Sequence, residues 1–164
     1  MRLTPSKIIN YQHIFKNCGY LHIPNYFSQA EINKYKFDLT NDNLINELNI
    51  FVNQINNSHN FLLKTQIKKY NFHKKLYHDI DLFEKKNINY HSTICIYPNL
   101  DYNTNIKFTN FKSYKKIQNV YYKDLISLDI NKNDLLIYNS FIAYLLENIN
   151  YISYEFIFID ENEI

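Results

Sequence analysis

Histidine, cysteine, lysine and carboxylate are the side chains here with chemistry to offer, and they are spread unevenly. The densest meeting of imidazole and carboxylate is His78-Asp79-Ile80-Asp81. Residues two apart share a face of an extended strand, and residues three apart do not. His78 and Asp81 therefore converge only across a bulge or turn, and the tetrapeptide by itself reads as a surface histidine beside turn or helix carboxylates. Cys18 has no evident base partner in sequence and Cys95 lies inside a strand pattern, which argues against a thiol nucleophile. The single glycine, Gly19, excludes a phosphate-cradling loop of the usual glycine-rich form. His91 heads a strand and reads as a structural residue.

Charge is the second source of chemistry. All 18 basic residues precede residue 133, whereas residues 133–164 hold six of the 16 acidic ones (Asp134, Glu147, Glu155, Asp160, Glu161, Glu163). Lys64, Lys68, Lys69, Lys74, Lys75, Lys85 and Lys86 form a cluster that could meet an acidic small molecule or protein partner. The plainer reading is a solvated face. Tyrosines accompany these lysines, but AT-rich codon usage supplies both, so nucleic-acid binding is disfavoured.

The elements that must position these residues follow from length and periodicity. A chain of 164 residues with 46% hydrophobic content is expected to form one domain, 1–164. Its helical part is expected over 1–60 and its β-rich part over 90–160. Two unpaired cysteines, no long apolar run and no signal-peptide core point to a soluble protein of a cytoplasm-like compartment, without membrane contact. Thr4-Pro5 reads as the cap and first turn of a helix that Gly19 ends. Tyr20–Ile23 follows as a strand. Ser28-Gln29-Ala30-Glu31 is a capping box opening a helix toward Asp38. Leu44, Leu48, Phe51 and Ile55 recur at helical spacing, giving a third helix from about Asp42 to Asn56.

Beyond about Tyr90 the period becomes that of strands: Tyr90–Tyr97, Ile106–Phe111, Leu125–Ile130, Leu135–Phe141 and Ile152–Ile159. Asn/Asp clusters at 101–105 and 131–134 supply turns, with asparagine doing the work of the missing glycines. The stretch 57–89 fits neither period clearly. Helices first and antiparallel strands after give an α+β class, a sandwich or barrel backed by N-terminal helices.

Three passages then carry a family resemblance. Gly19-Tyr20-Leu21-His22-Ile23-Pro24-Asn25-Tyr26-Phe27-Ser28, followed by Gln29-Ala30-Glu31, resembles the opening of phytanoyl-CoA-dioxygenase-like proteins. These belong to the iron(II)/2-oxoglutarate oxygenase superfamily. Asn103–Thr109 leading to Phe111-Lys112-Ser113-Tyr114-Lys115 is similar to that family's Asn-Gly-x-Leu strand and Pro-Gly-Ser-His-Lys. Asn133-Asp134-Leu135-Leu136-Ile137-Tyr138-Asn139-Ser140 is similar to its Gly-Asp-Leu-Leu-x-Phe-Asn-Ser. The passages stand in the family's order.

The resemblance implies N-terminal helices packed on a double-stranded β-helix (jelly-roll-like) core, at full or shortened length. It also implies an iron site of two histidines and one carboxylate, with an arginine for 2-oxoglutarate. His78 and Asp81 fall where the first metal ligands belong, but Ile80 holds the expected acid position. The distal histidine's place falls near Ala143 or Tyr144, and all six histidines precede Ser92. The only arginine is Arg2; near the cofactor arginine's place stand Ser153, Tyr154 and Glu155, and Glu155 would repel a dicarboxylate. A remodelled site would draw on His78 and Asp81, with His91, for Fe(II), and on Lys107 or Lys115 and Tyr144 for 2-oxoglutarate.

Three readings stay open. The first is a diverged fold without standard catalysis, a binding or assembly module. The second is an active dioxygenase with altered ligands. The third is an unrelated interaction protein whose lysine cluster, Lys64 to Lys86, meets an acidic partner.

Overall fold

The computed structural model describes residues 3–35, 38–70, 77–78, 92–96, 104–109, 125–139, 142–146 and 151–161. The chain opens with α1 (Pro5–Cys18), in which Pro5 occupies the first turn. Thr4 stands at the cap position, but its hydroxyl does not cap the helix. It lies 3.2 Å from the Ser6 hydroxyl instead. Gly19 ends α1 at φ 76°, a left-handed conformation that glycine alone adopts without steric cost, and its N–H donates to the Phe15 carbonyl at 2.7 Å.

Strand β1 (Tyr20–Ile23) follows, and α2 spans Gln29–Tyr35. The capping box forms as its sequence implies. The Ser28 hydroxyl accepts from the Glu31 N–H at 3.2 Å, and the Glu31 carboxylate accepts from the Ser28 N–H at 2.7 Å. α3 (Asp42–Asn56) is capped by Asn41, whose side chain accepts from the Asn43 and Leu44 N–H groups. Asn57 closes it at φ 54°, and Asn25 turns at φ 51°. Asparagine thus holds two positions that glycine usually fills.

The ambiguous stretch holds β2 (Asn60–Tyr70), eleven residues long, and β3 (Tyr77–His78). Then come β4 (Ser92–Ile96), β5 (Thr104–Thr109), β6 (Leu125–Ile130), β7 (Leu135–Asn139), β8 (Ala143–Leu146) and β9 (Tyr151–Asp160). One sheet has the order β1-β7-β4-β9-β2 and the other β3-β8-β5-β6, with every pairing among the described residues antiparallel.

The layers follow from strand alternation. Leu135 and Ile137 of β7, Ile94 and Ile96 of β4, and Phe156 and Phe158 of β9 meet the helices, which contribute Leu44, Leu48, Phe51, Val52 and Ile55. On the other face, Leu136, Tyr138 and Cys95 pack with Ile106 and Phe108 of β5 and Ile130 of β6. The larger sheet therefore lies between helices and the smaller sheet. Because both its faces are covered, β4 and β7 are buried at every position.

Two expectations test these local devices. Replacing Gly19 by alanine forces a Cβ into left-handed backbone and costs about 1–2 kcal/mol, read as a lower urea midpoint. The Ser28 hydrogen bonds hold the Glu31 carboxyl below the ordinary glutamate range. A lowered value stabilises the fold above the unfolded-state pKa, and the gain is lost as pH falls through the folded value. Ser28→Ala is thus expected to cost about 1 kcal/mol at neutral pH and less in acid, and equal losses at both pH values would contradict this account.

Candidate functional site

The two buried carboxylates of the described chain lie at two places on the inward face of the larger sheet. The first is the start of β7. Asp134 is 1% exposed, and a buried carboxylate must be fully hydrogen-bonded to persist. It accepts from the His22 ring at 2.8 Å, from the Asn25 N–H at 2.8 Å and from the Asn131 N–H at 2.9 Å. Since an ionised carboxylate only accepts, His22 carries its proton on Nε2. The Phe27 N–H donates to the Asn133 carbonyl at 3.0 Å, and the Asn139 N–H to the Gly19 carbonyl at 2.9 Å. The first and third family-like passages therefore bind one another, β1 pairing with β7 from Tyr20↔Tyr138 to Ile23↔Leu135.

The second place lies further along the same transverse row. His22 faces Leu136, Leu136 faces Cys95, Cys95 faces Glu155, and Glu155 faces Gln66. Glu155 is fully buried. Its two oxygens accept from Gln66 Nε2 at 2.7 Å and from the Ser153 hydroxyl at 3.1 Å. Cys95 Sγ lies 3.6 Å from the Tyr138 hydroxyl, which makes it a packed thiol in contact with a phenol. Gln66 was not anticipated, because it lies in the stretch whose periodicity is unclear.

The residues singled out from sequence fall as follows. His78 lies on β3, whose partner is β8, with Tyr77 opposite Tyr144 and His78 opposite Ala143. The register thus sets His78 beside the positions where the resemblance puts the distal histidine. Asp81, His91 and Lys115 lie outside the described residues. Tyr144 shares its register line with Phe108, whereas Lys107 shares its line with Leu145 and Ser127. Ile106 and Phe108 fill the space between the sheets, so alternation carries Lys107 to the opposite face of β5. Among the described residues no group of three or more His, Cys, Asp and Glu side chains could hold a metal ion. Of the lysine cluster, Lys64 is exposed on β2, Lys68 and Lys69 continue that strand, and Lys74, Lys75, Lys85 and Lys86 lie outside the described residues.

Two further features are structural or peripheral. The Tyr35 hydroxyl donates to Glu47 at 2.6 Å, which with burial pushes it up to about 12, so it stays a donor. Burial first, and Glu47 second, raise Tyr26 as well. A surface cleft of about 680 Å³ lies between α1, the end of α3 and the end of β9, where Gln12 already donates to the Gln54 carbonyl. No helix among the described residues is long and apolar enough to cross a membrane.

No family model and no curated protein matches the sequence. Solved structures do match the fold. The non-heme alpha-ketoglutarate-dependent epimerase SnoN of nogalamycin biosynthesis aligns at a TM-score of 0.68 and 8% identity, over 96% of this chain and 84% of that one. HygX from Streptomyces hygroscopicus, with nickel and 2-oxoglutarate bound, aligns at 0.60 and 13% identity, over 98% and 88%. A 2OG-Fe(II) oxygenase-family oxidoreductase from Burkholderia pseudomallei aligns at 0.63 and 10% identity, over 97% and 93%. The chain shares the fold of iron/2-oxoglutarate oxygenases along nearly its whole length.

Removing the Asp134 carboxylate leaves two backbone N–H groups and an imidazole without their acceptor. Asp134→Ala is expected to cost about 3 kcal/mol, and His22→Ala, which removes one donor of three, about 1 kcal/mol. Equal destabilisation of the two variants in urea melts would refute the role of Asp134 as the shared acceptor of three donors.

Proposed function

We propose that this chain is a diverged member of the phytanoyl-CoA-dioxygenase-like branch of the oxygenase fold, a binding or assembly module without standard iron/2-oxoglutarate catalysis. The strand order supports a double-stranded β-helix. Counted from β2, the eight strands run first-eighth-third-sixth in one sheet and second-seventh-fourth-fifth in the other, with β1 added at the edge of the first. That interleaving is what winding a paired ribbon into two facing sheets produces.

One observation carries the functional reading. Glu155 is fully buried on the face of β9 that meets the smaller sheet, with Gln66 and Ser153 hydrogen-bonded to it. The resemblance puts the arginine that receives 2-oxoglutarate near this place, and the chain's only arginine is Arg2. A buried carboxylate repels a dicarboxylate strongly, because low dielectric strengthens like-charge repulsion. The described residues therefore do not fit 2-oxoglutarate in its usual pose.

A second reading, an active dioxygenase with altered ligands, draws support from the pairing of β3 with β8. That pairing sets His78 beside Ala143 and Tyr77 beside Tyr144. In this reading His78 and Asp81 would hold Fe(II) and Tyr144 would contact the cofactor, whereas Lys107, carried to the opposite face of β5, would not reach it. Iron would supply the open coordination positions for oxygen chemistry.

Anaerobic titration separates the two. Fe(II) with 2-oxoglutarate is expected to give no visible charge-transfer band with this protein, and Glu155→Gln is expected not to create one. A band in the wild-type chain that His78→Ala abolishes would overturn the first reading and establish the second.

A further inference from the structure

We propose that the outer edge of β2 takes up an extended acidic segment of another protein as an added strand. This goes beyond the reading above and holds for an active or an inactive fold. Among the described residues β2 pairs only with β9, and no described strand takes up the backbone donors and acceptors along its other side. Such an edge templates another strand unless its side chains forbid it. Here four of them are open to solvent. Phe61, Leu63 and Ile67 are 39%, 38% and 51% exposed, among the few large apolar side chains of the described chain that are. Lys64 is exposed between them.

Charge selects the occupant. Asn60–Tyr70 contains Lys64, Lys68 and Lys69 and no carboxylate. Two copies joined edge to edge would bring together twice that positive charge with nothing to neutralise it, and like charges across a strand pair destabilise it. A second copy is therefore disfavoured, and an acidic strand is favoured by the same residues. The irregularity between Leu62 and Lys64 adds to the barrier against indiscriminate pairing.

Register refines the partner's pattern. Lys64 and Gln66 lie opposite Ile157 and Glu155, and Lys68 takes the next position of the same parity, opposite Ser153. Thr65 and the exposed Ile67 occupy the other parity, opposite Phe156 and Tyr154. A matching strand alternates a carboxylate, for the face that carries exposed Lys64, with β-branched apolar residues, for the face that carries Ile67.

The test uses the full chain and a fluorescent, end-blocked peptide of alternating glutamate and valine, with a lysine–valine peptide as its counterpart. The glutamate peptide is expected to bind, and its affinity to fall at least tenfold between about 50 and about 300 mM salt. Amide hydrogen exchange of β2 is expected to slow on binding. Lys64→Glu is expected to weaken binding at least about tenfold with an unchanged circular dichroism spectrum, and Lys64→Ala to give a smaller loss. No binding, equal binding of both peptides, or protection confined to residues outside β2 would overturn the proposal. A concentration-dependent dimer that protects β2 without peptide would overturn the choice of occupant.

Discussion

The carboxylate of Asp134 sets the register on which the rest of the sheet depends. It stands immediately before β7, is buried, and draws donors from β1, from the turn after β1 and from the β6–β7 turn. A slip of one residue between β1 and β7 would send Leu21 and Ile23 to the wrong face and take from the carboxylate the donors of β1 and the turn after it. Because burying an unpaired carboxylate is so costly, the three hydrogen bonds reject slipped pairings more sharply than apolar contacts could. With β7 so placed, Leu135 and Ile137 face the helices and Leu136 and Tyr138 face the smaller sheet.

The acidic bias of the C-terminal fifth takes on a different meaning in this light. Asp134 and Glu155 are both fully buried and hydrogen-bonded, so they are parts of the interior and contribute nothing to an acidic surface. The positive side of the asymmetry behaves otherwise. Lys64 lies on an exposed edge, where its charge is free to act on solvent and partners. Interior and surface thus divide the acidic residues, since Asp129 and Glu161 remain exposed while Asp134 and Glu155 do not.

Local signals in the sequence were the most legible. Gly19, the Ser28–Glu31 box and the Leu44-Leu48-Phe51-Ile55 spacing each act within one or two turns, and each appears where its chemistry requires. Thr4 is the exception, since its hydroxyl lies against Ser6 and not against the helix N–H groups. β2 resisted reading because an edge strand needs no buried face, so Lys64, Thr65, Gln66 and Ile67 follow no period-two pattern of burial. β8 is four residues long, and Ala143–Leu146 has no alternation to announce it. The candidate site was less legible still. That His78 stands beside Ala143 follows from pairing between strands more than sixty residues apart, which no local pattern encodes.

The resemblance and the chemistry therefore rest on different residues. Gly19, Asp134 and the Leu135–Tyr138 run carry the likeness, and each has a packing or hydrogen-bonding duty that the fold needs whether or not a reaction occurs. Glu155 has a duty too, since its buried carboxylate ties β9 to Gln66 of β2. A carboxylate persists in the interior only where donors meet it, and Gln66 and Ser153 are two such donors. Such packing and hydrogen-bonding duties can be met by many different side chains, which is how the fold is shared with solved structures at identities as low as 6%.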